Sequence, residues 1–178
     1  MATKKTAIFT LTERLTLAAA ATPTATATID IGSYVDVGDR QALQIHSVDF
    51  IHQGATASDA LNASVPGNSA VLTQLTDLNR GGLVFANDRA LIGSSALRID
   101  GAGAYSYEAD LYPDNFGKGA DDGRCVVNDQ LYVSTLCNGK KVATANITGR
   151  IMASIGPPPK KQSMDKSNPT KPTNNGSD

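Results

Sequence analysis

The chain has 178 residues, 40% of them hydrophobic, with four Phe, five Tyr, no Trp and a formal net charge of −1. That is enough for one well-buried core and too little for two full domains, and no segment has the roughly 18 uninterrupted apolar residues of a membrane helix. The apolar share is carried by Ala, Val, Leu and Ile, small and β-branched types that suit tightly packed sheet layers.

The charge is unevenly divided. Residues 1–20 and 157–178 each carry a net +2, and the body between them carries −5. An acidic body argues against a nucleic-acid-binding face and leaves the ends to weak, nonspecific phosphate contact. Neither end has a run of more than two basic residues, so solubilising termini are the plainer reading.

Residues 1–23 are expected as an N-terminal arm. Ile8, Leu11, Leu15 and Leu17 do not settle on one period, so helix and extended chain both stay open, up to the break at Pro23. The stretch LTLAAAATPTATATI is too interrupted by Thr and Pro for a signal-peptide core. From Thr24 the pattern has period two: Ala25, Ala27, Ile29 and Ile31 alternate with Thr24, Thr26, Thr28 and Asp30, as in a strand with one face in the core. ALQIHSVDFIH reads as the next strand, with Leu43 and Ile45 on one parity and Val48 and Phe50 on the other. A bulge near Ser47 or burial on both faces would reconcile them.

Residues 54–70 read as a small-residue excursion with one helical turn after Ser58. VLTQLTDLN fits helix or strand. GGLVFAN, ALIGSSALRI and AYSYEADLY each read as a short strand closed by a turn signal. Residues 113–123, PDNFGKGADDG, form an exposed loop. Leu131, Val133 and Thr135 then alternate up to Asn138-Gly139, the favoured two-residue turn, and Ala143, Ala145, Ile147, Ile151, Ala153 and Ile155 share one parity beyond it. A hairpin is expected there, its returning strand bending at Gly149 and serving two neighbours. Residues 157–178, with five prolines and one Met as the only large apolar residue, are expected as a disordered or extended tail. The expected fold class is all-β: an antiparallel sandwich over 24–156, with a single jelly roll as the candidate topology.

Little in the sequence is arranged for chemistry. His46 and His52 would stand about 20 Å apart on an extended strand, too far to share a metal, and read as partly exposed strand-end residues. Cys125 and Cys137 read as reduced and partly buried, which favours an intracellular origin. NAS at Asn62 and NIT at Asn146 match a glycosylation pattern that is common by chance. Asp110, Asp114, Asp121 and Asp122 are weak candidates for a hard-oxygen calcium site, against a solvated acidic loop. No serine elbow or Walker loop is present, and Arg80, Arg89, Arg98, Arg124 and Arg150 are isolated, as surface or interface arginines would be. The expectation is a protein that is not an enzyme, needs no cofactor and works by contact, through Phe9, Phe85, Tyr105, Tyr107, Tyr112 and Phe116 as interface candidates.

The strand rhythm over 24–156, the N-terminal arm and long loops such as PDNFGKGADDG resemble small single jelly-roll coat proteins of non-enveloped viruses or phages. The resemblance carries no specific motif. It implies a capsid subunit that assembles with copies of itself and with other coat components, found in the virion and assembled in the host cytoplasm. Such families often carry a strongly basic arm; here it has only Lys4, Lys5 and Arg14, which leaves a shell lined by another component, a tube or a decoration role as variants. The alternative class is a non-catalytic β-sandwich binding module for a glycan or protein ligand, calcium-assisted, presenting loops 54–70 and 113–123.

Overall fold

Alternating burial along short segments dictates layers, and the chain builds two. The computed structural model describes residues 6–20, 22–36, 38–39, 41–59, 61, 64–110, 124–139 and 143–157. Their strands are β1 (Phe9–Leu17), β2 (Thr24–Asp30), β3 (Ala42–Gln53), β4 (Ser69–Thr76), β5 (Leu91–Ile99), β6 (Tyr105–Asp110), β7 (Arg124–Val126), β8 (Gln130–Asn138) and β9 (Ala145–Gly156). One sheet has the order β1-β9-β3-β7 and the other β2-β8-β4-β5-β6. Every pairing is antiparallel.

The pairs nest: β1 with β9, β2 with β8, β3 with β7 and β4 with β5. A long antiparallel ribbon is thus rolled up until β9 also meets β3 and β8 also meets β4. The result is a β-sandwich with jelly-roll winding, with β6 added at the margin of the second sheet.

The inner faces follow the period-two pattern. Leu15, Leu43, Ile45, Val48, Phe50 and Ile151 from the first sheet meet Ile29, Leu75, Leu131 and Val133 from the second. A smaller cluster joins Leu17, Ala145 and Ile147 to Val71, Ile99 and Cys137, with Leu61 and Val65 from the β3–β4 connection. Each fully buried aliphatic side chain contributes about 1.5–3 kcal/mol relative to exposure. Where Leu61 enters, the N–H groups of Ser64 and Val65 both donate to its carbonyl, closing a single turn.

The parity change in β3 has the bulge as its cause. The β3–β9 register shifts between Ile45 and Ser47, so His46 is the extra residue and Val48 and Phe50 return to the core. β9 serves two neighbours, as its length required.

Three sequence readings are corrected. Residues 9–17, assigned to an arm, form a strand of the sandwich: Phe9, Leu11, Leu15 and Leu17 share one parity, and Glu13, which interrupts them, lies opposite Gly149. GGLVFAN is not a strand but part of the β4–β5 loop. Asn138-Gly139 does not close a hairpin. β8 already has β2 on one side and β4 on the other, so no edge remains for β9, and the chain crosses to the opposite sheet. Gly139, at φ 128°, makes that exit in a conformation that favours glycine. The expected loop 113–123 and all of the tail beyond Pro157 lie outside the described residues.

Candidate interaction surface

The groups that could do chemistry are dispersed. His46, on the bulge, shares a hydrogen bond from Nε2 to Ser154 Oγ at 2.8 Å. His52 is half-buried between the sheets, its ring edge-on to Tyr107 with centroids 6.0 Å apart. Burial lowers its pKa to about 4, against the opposing pull of Asp49 and of a hydrogen bond with the Phe50 backbone. Its Nε2 is buried with no hydrogen-bond partner among the described residues. Cys125 lies half-buried on β7 and Cys137 buried on β8, and neither is in a disulfide. The Asn146 side chain, at the NIT triplet, is half-buried and engaged on both sides. It donates to the carbonyls of Gly54 and Ala55 and accepts from Thr16 Oγ1.

Of the calcium candidates, Asp110 is the last residue of β6, while Asp114, Asp121 and Asp122 lie outside the described residues. Among the described residues no three His, Cys, Asp or Glu side chains converge as a metal site. No helix there is long and apolar enough to cross a membrane.

The interface candidates separate clearly. Phe9 packs on the core edge, its ring 5.2 Å from that of Tyr34. Tyr105 and Tyr107 are each 47% exposed on β6, and the Tyr107 hydroxyl donates to the Phe50 carbonyl at 3.4 Å. Burial raises the Tyr107 pKa above its ordinary value. Tyr112 and Phe116 lie outside the described residues. Phe85 stands apart at 87% exposure.

The loop that carries Phe85 is fixed on both sides. Before it, the Val84 N–H donates to Gln74 Oε1 at 2.7 Å and Gln74 Nε2 donates back to the Val84 carbonyl at 2.8 Å. A side-chain amide thus does for one residue what a neighbouring strand would do, which is why GGLVFAN lies on the sheet without joining it. After it, the Asp88 N–H closes a turn on the Phe85 carbonyl at 3.0 Å, Arg80 pairs with Asp88 at 3.0 Å, and Ala90 N–H donates to the same carboxylate at 2.8 Å. The Ala90 hydrogen bond, with Arg80 adding to it, holds the Asp88 carboxyl below its ordinary pKa.

At the foot of the loop Arg124 corrects another expectation. It is not a surface arginine: its side chain is 9% exposed, donating to Asp77 at 2.8 Å and to the carbonyls of Leu91 and Arg89. Burial of a guanidinium is tolerated where its donors meet a carboxylate and backbone acceptors. Neither Gln74 nor Arg124 carries a local sequence signal for these roles, because both partners are distant in the chain.

Beside the loop, a groove of about 440 Å³ opens on the outer face of the second sheet. Leu72, Ala96 and Ala109 belong to its sheet side, Leu83 and Val84 to its loop side, and Glu108 to its rim. The Glu108 carboxylate pairs with Arg98 at 2.6 Å. A second hollow, of about 510 Å³, lies at the other end of the sheet between Ala70, Arg98, Tyr105 and Asn138.

No protein-family model matches this chain, and no curated protein matches it. Among solved structures it is similar to VP1 of Trichodysplasia spinulosa-associated polyomavirus, in complex with sialylated precision glycooligomers, at 11% identity and a TM-score of 0.37, over 82% of this chain and 94% of that one. The class that the fold defines is the antiparallel β-sandwich.

Proposed function

We propose that the chain is a structural subunit that assembles with copies of itself, as a coat-type building block of a virion put together in the host cytoplasm. The observation that carries this reading is Phe85, 87% exposed on a loop whose flanks are fixed by Gln74, Arg80 and Asp88. A large aromatic held rigidly in water costs free energy until a partner covers it, and it reaches the partner with little ordering entropy left to lose. The jelly-roll winding supports the reading, since shells are among the uses of that fold. So does the scatter of His46, His52, Cys125 and Cys137 through the sandwich.

Light scattering and negative-stain microscopy of the purified chain across concentration test it. Discrete shells, tubes or lattices are expected, with Phe85→Asp shifting the chain towards smaller species. A chain that stays monomeric at high concentration, or binds a glycan or peptide without assembling, overturns the proposal in favour of a binding module.

A further inference from the structure

At one margin of the sandwich the two sheets meet through a pair of rings. His52, near the end of β3, stands edge-on to Tyr107 of β6 with centroids 6.0 Å apart, and the Tyr107 hydroxyl crosses to the Phe50 carbonyl of β3 at 3.4 Å. We propose that this contact is an acid-sensitive latch: a proton on His52 releases Tyr107, and β6 detaches from the margin while the other strands stay closed. The inference goes beyond the self-assembly reading and does not depend on it.

The setting of the ring makes it the sensor. Its Nε2 is buried with no hydrogen-bond partner among the described residues, and the ring hydrogen-bonds the Phe50 backbone, a contact that falls to Nδ1. Neutral imidazole suits this arrangement with its one proton on Nδ1. A second proton has to go on Nε2, where it becomes a buried donor facing no acceptor, on a cation removed from water. The same cost holds the His52 pKa at about 4. Among the described residues Asp49 is the charge that acts on the ring, and it opposes the shift without cancelling it. Tyr107 stays neutral in acid, its pKa being raised. β9 sets Ile147 beside His52, and β5 supplies Ser95, which hydrogen-bonds the Tyr107 hydroxyl; neither carries a charge.

β6 is the element placed to respond. Among the described residues it pairs with β5 alone, over six residues. Its tie to the Phe50 carbonyl is longer than the roughly 2.5–3.0 Å of a strong O–H···O hydrogen bond. The Arg98–Glu108 pair between β5 and β6 is exposed and adds little. Once Tyr107 lets go of β3, a short ladder at a sheet edge is all that holds the strand, and such segments open first. Its departure uncovers Leu97, which pairs with Tyr107 in the register and packs on the smaller core cluster. Linkage gives the sign and the size. The open form, with His52 at its ordinary 6.5, takes the proton before the closed form, so acidification from pH 7 to pH 5 raises the opening equilibrium about 20-fold.

Amide hydrogen exchange on the full chain at pH 7 and pH 5, corrected for the intrinsic exchange rate, tests the latch. Opening at the β6 amides is expected to rise about 20-fold on acidification. It is also expected to ignore dilute urea, because a local opening exposes little surface, whereas exchange in β8 quickens with urea. A urea dependence in β6 equal to that in β8 means global unfolding and overturns the latch. His52→Gln, neutral at both pH values, is expected to abolish the rise, and a rise as large as the parent's overturns the assignment to His52. Tyr107→Phe is expected to raise the opening at both pH values and keep its pH ratio; opening unchanged from the parent shows that the hydroxyl holds nothing and overturns the proposal as well. A further measurement needs no variant at His52. His46 and His52 are the only histidines, so their ring signals, told apart with His46→Gln, follow each titration in the magnetic resonance spectrum. A His52 midpoint well below 6.5 is expected, and one at 6.5 or above overturns the proposal.

Discussion

Arg124 of β7 reaches across the sandwich to Asp77 at the end of β4, Nη2 to Oδ2 at 2.8 Å, and so joins the margin of one sheet to the loop of the other. The same guanidinium donates to the carbonyls of Leu91 and Arg89. Replacing it strands a nearly buried carboxylate and removes a donor from both carbonyls. Arg124→Ala is expected to destabilise the fold by about 3 kcal/mol, read as a lower urea midpoint with an unchanged slope. A change below about 0.5 kcal/mol, the size of a typical surface substitution, would show that the clasp contributes nothing.

The Gln74–Val84 pair makes a local prediction. Gln74→Leu keeps much of the volume and removes both hydrogen bonds, so the β4–β5 loop should loosen while the sheets remain. The expected global cost is about 1–2 kcal/mol. Amide exchange at Val84 should accelerate far more than exchange in β8, and equal acceleration at both sites would mean that the pair does not hold the loop specifically.

His52 gives the fold an acid sensitivity of known sign. Its folded pKa, about 4, lies below the ordinary value of 6.5 because burial disfavours the cation. The unfolded chain therefore takes the proton first. The His52 contribution is intact above about pH 6.5, is lost as pH falls from there towards about 4, and levels off below, with a total of at most about 3 kcal/mol. Tyr107 lies edge-on to the same ring, and the charge of Asp49, which opposes the shift, limits the loss. Urea midpoints between pH 8 and 4 should fall more steeply for the native chain than for His52→Gln, and parallel curves would refute the assignment.

Inside the second sheet, Thr73 and Thr135 share a hydrogen bond at 3.0 Å, and Thr135 Oγ1 also donates to the Leu72 carbonyl at 3.0 Å. Because one hydroxyl anchors the other, the two deletions should not be equivalent. Thr135→Val leaves the fully buried Thr73 hydroxyl without that partner and is expected to cost about 1–2 kcal/mol, whereas Thr73→Val leaves Thr135 on Leu72 and costs about half as much. Equal losses in thermal denaturation would contradict the asymmetry.

Where a strand has a face in water, alternation reveals it. Ala25, Ala27 and Ile29 show the face of β2 outright, and the parity change between Ile45 and Val48 locates the β3 bulge. β1 was harder, because Glu13 interrupts its inward face and Ile8, outside the strand and 55% exposed, mimics a core residue. The misread hairpin at Asn138-Gly139 shows a different kind of limit. A turn signal states that the chain reverses, but two strands that face each other across a core have the same apolar parity as two that pair side by side. Only the occupancy of both edges of β8 decides between them. The site was legible to the extent that Phe85 could be named. Its rigid setting depends on Gln74, Arg80 and Asp88, contacts that no periodicity encodes.

The place of β9 has a consequence for how the protein comes into being. It is the strand between β1 and β3, yet among the described residues it is the last strand to leave a ribosome that synthesises the N-terminal end first. β1 and β3 must therefore wait, with Leu15, Leu17, Val48 and Phe50 uncovered, until their shared neighbour arrives. Half of the sandwich forms only after translation has passed Gly156, through pairings distant enough in sequence to make folding slow. A nascent chain stalled before β9 is the species most exposed to aggregation and most in need of a chaperone.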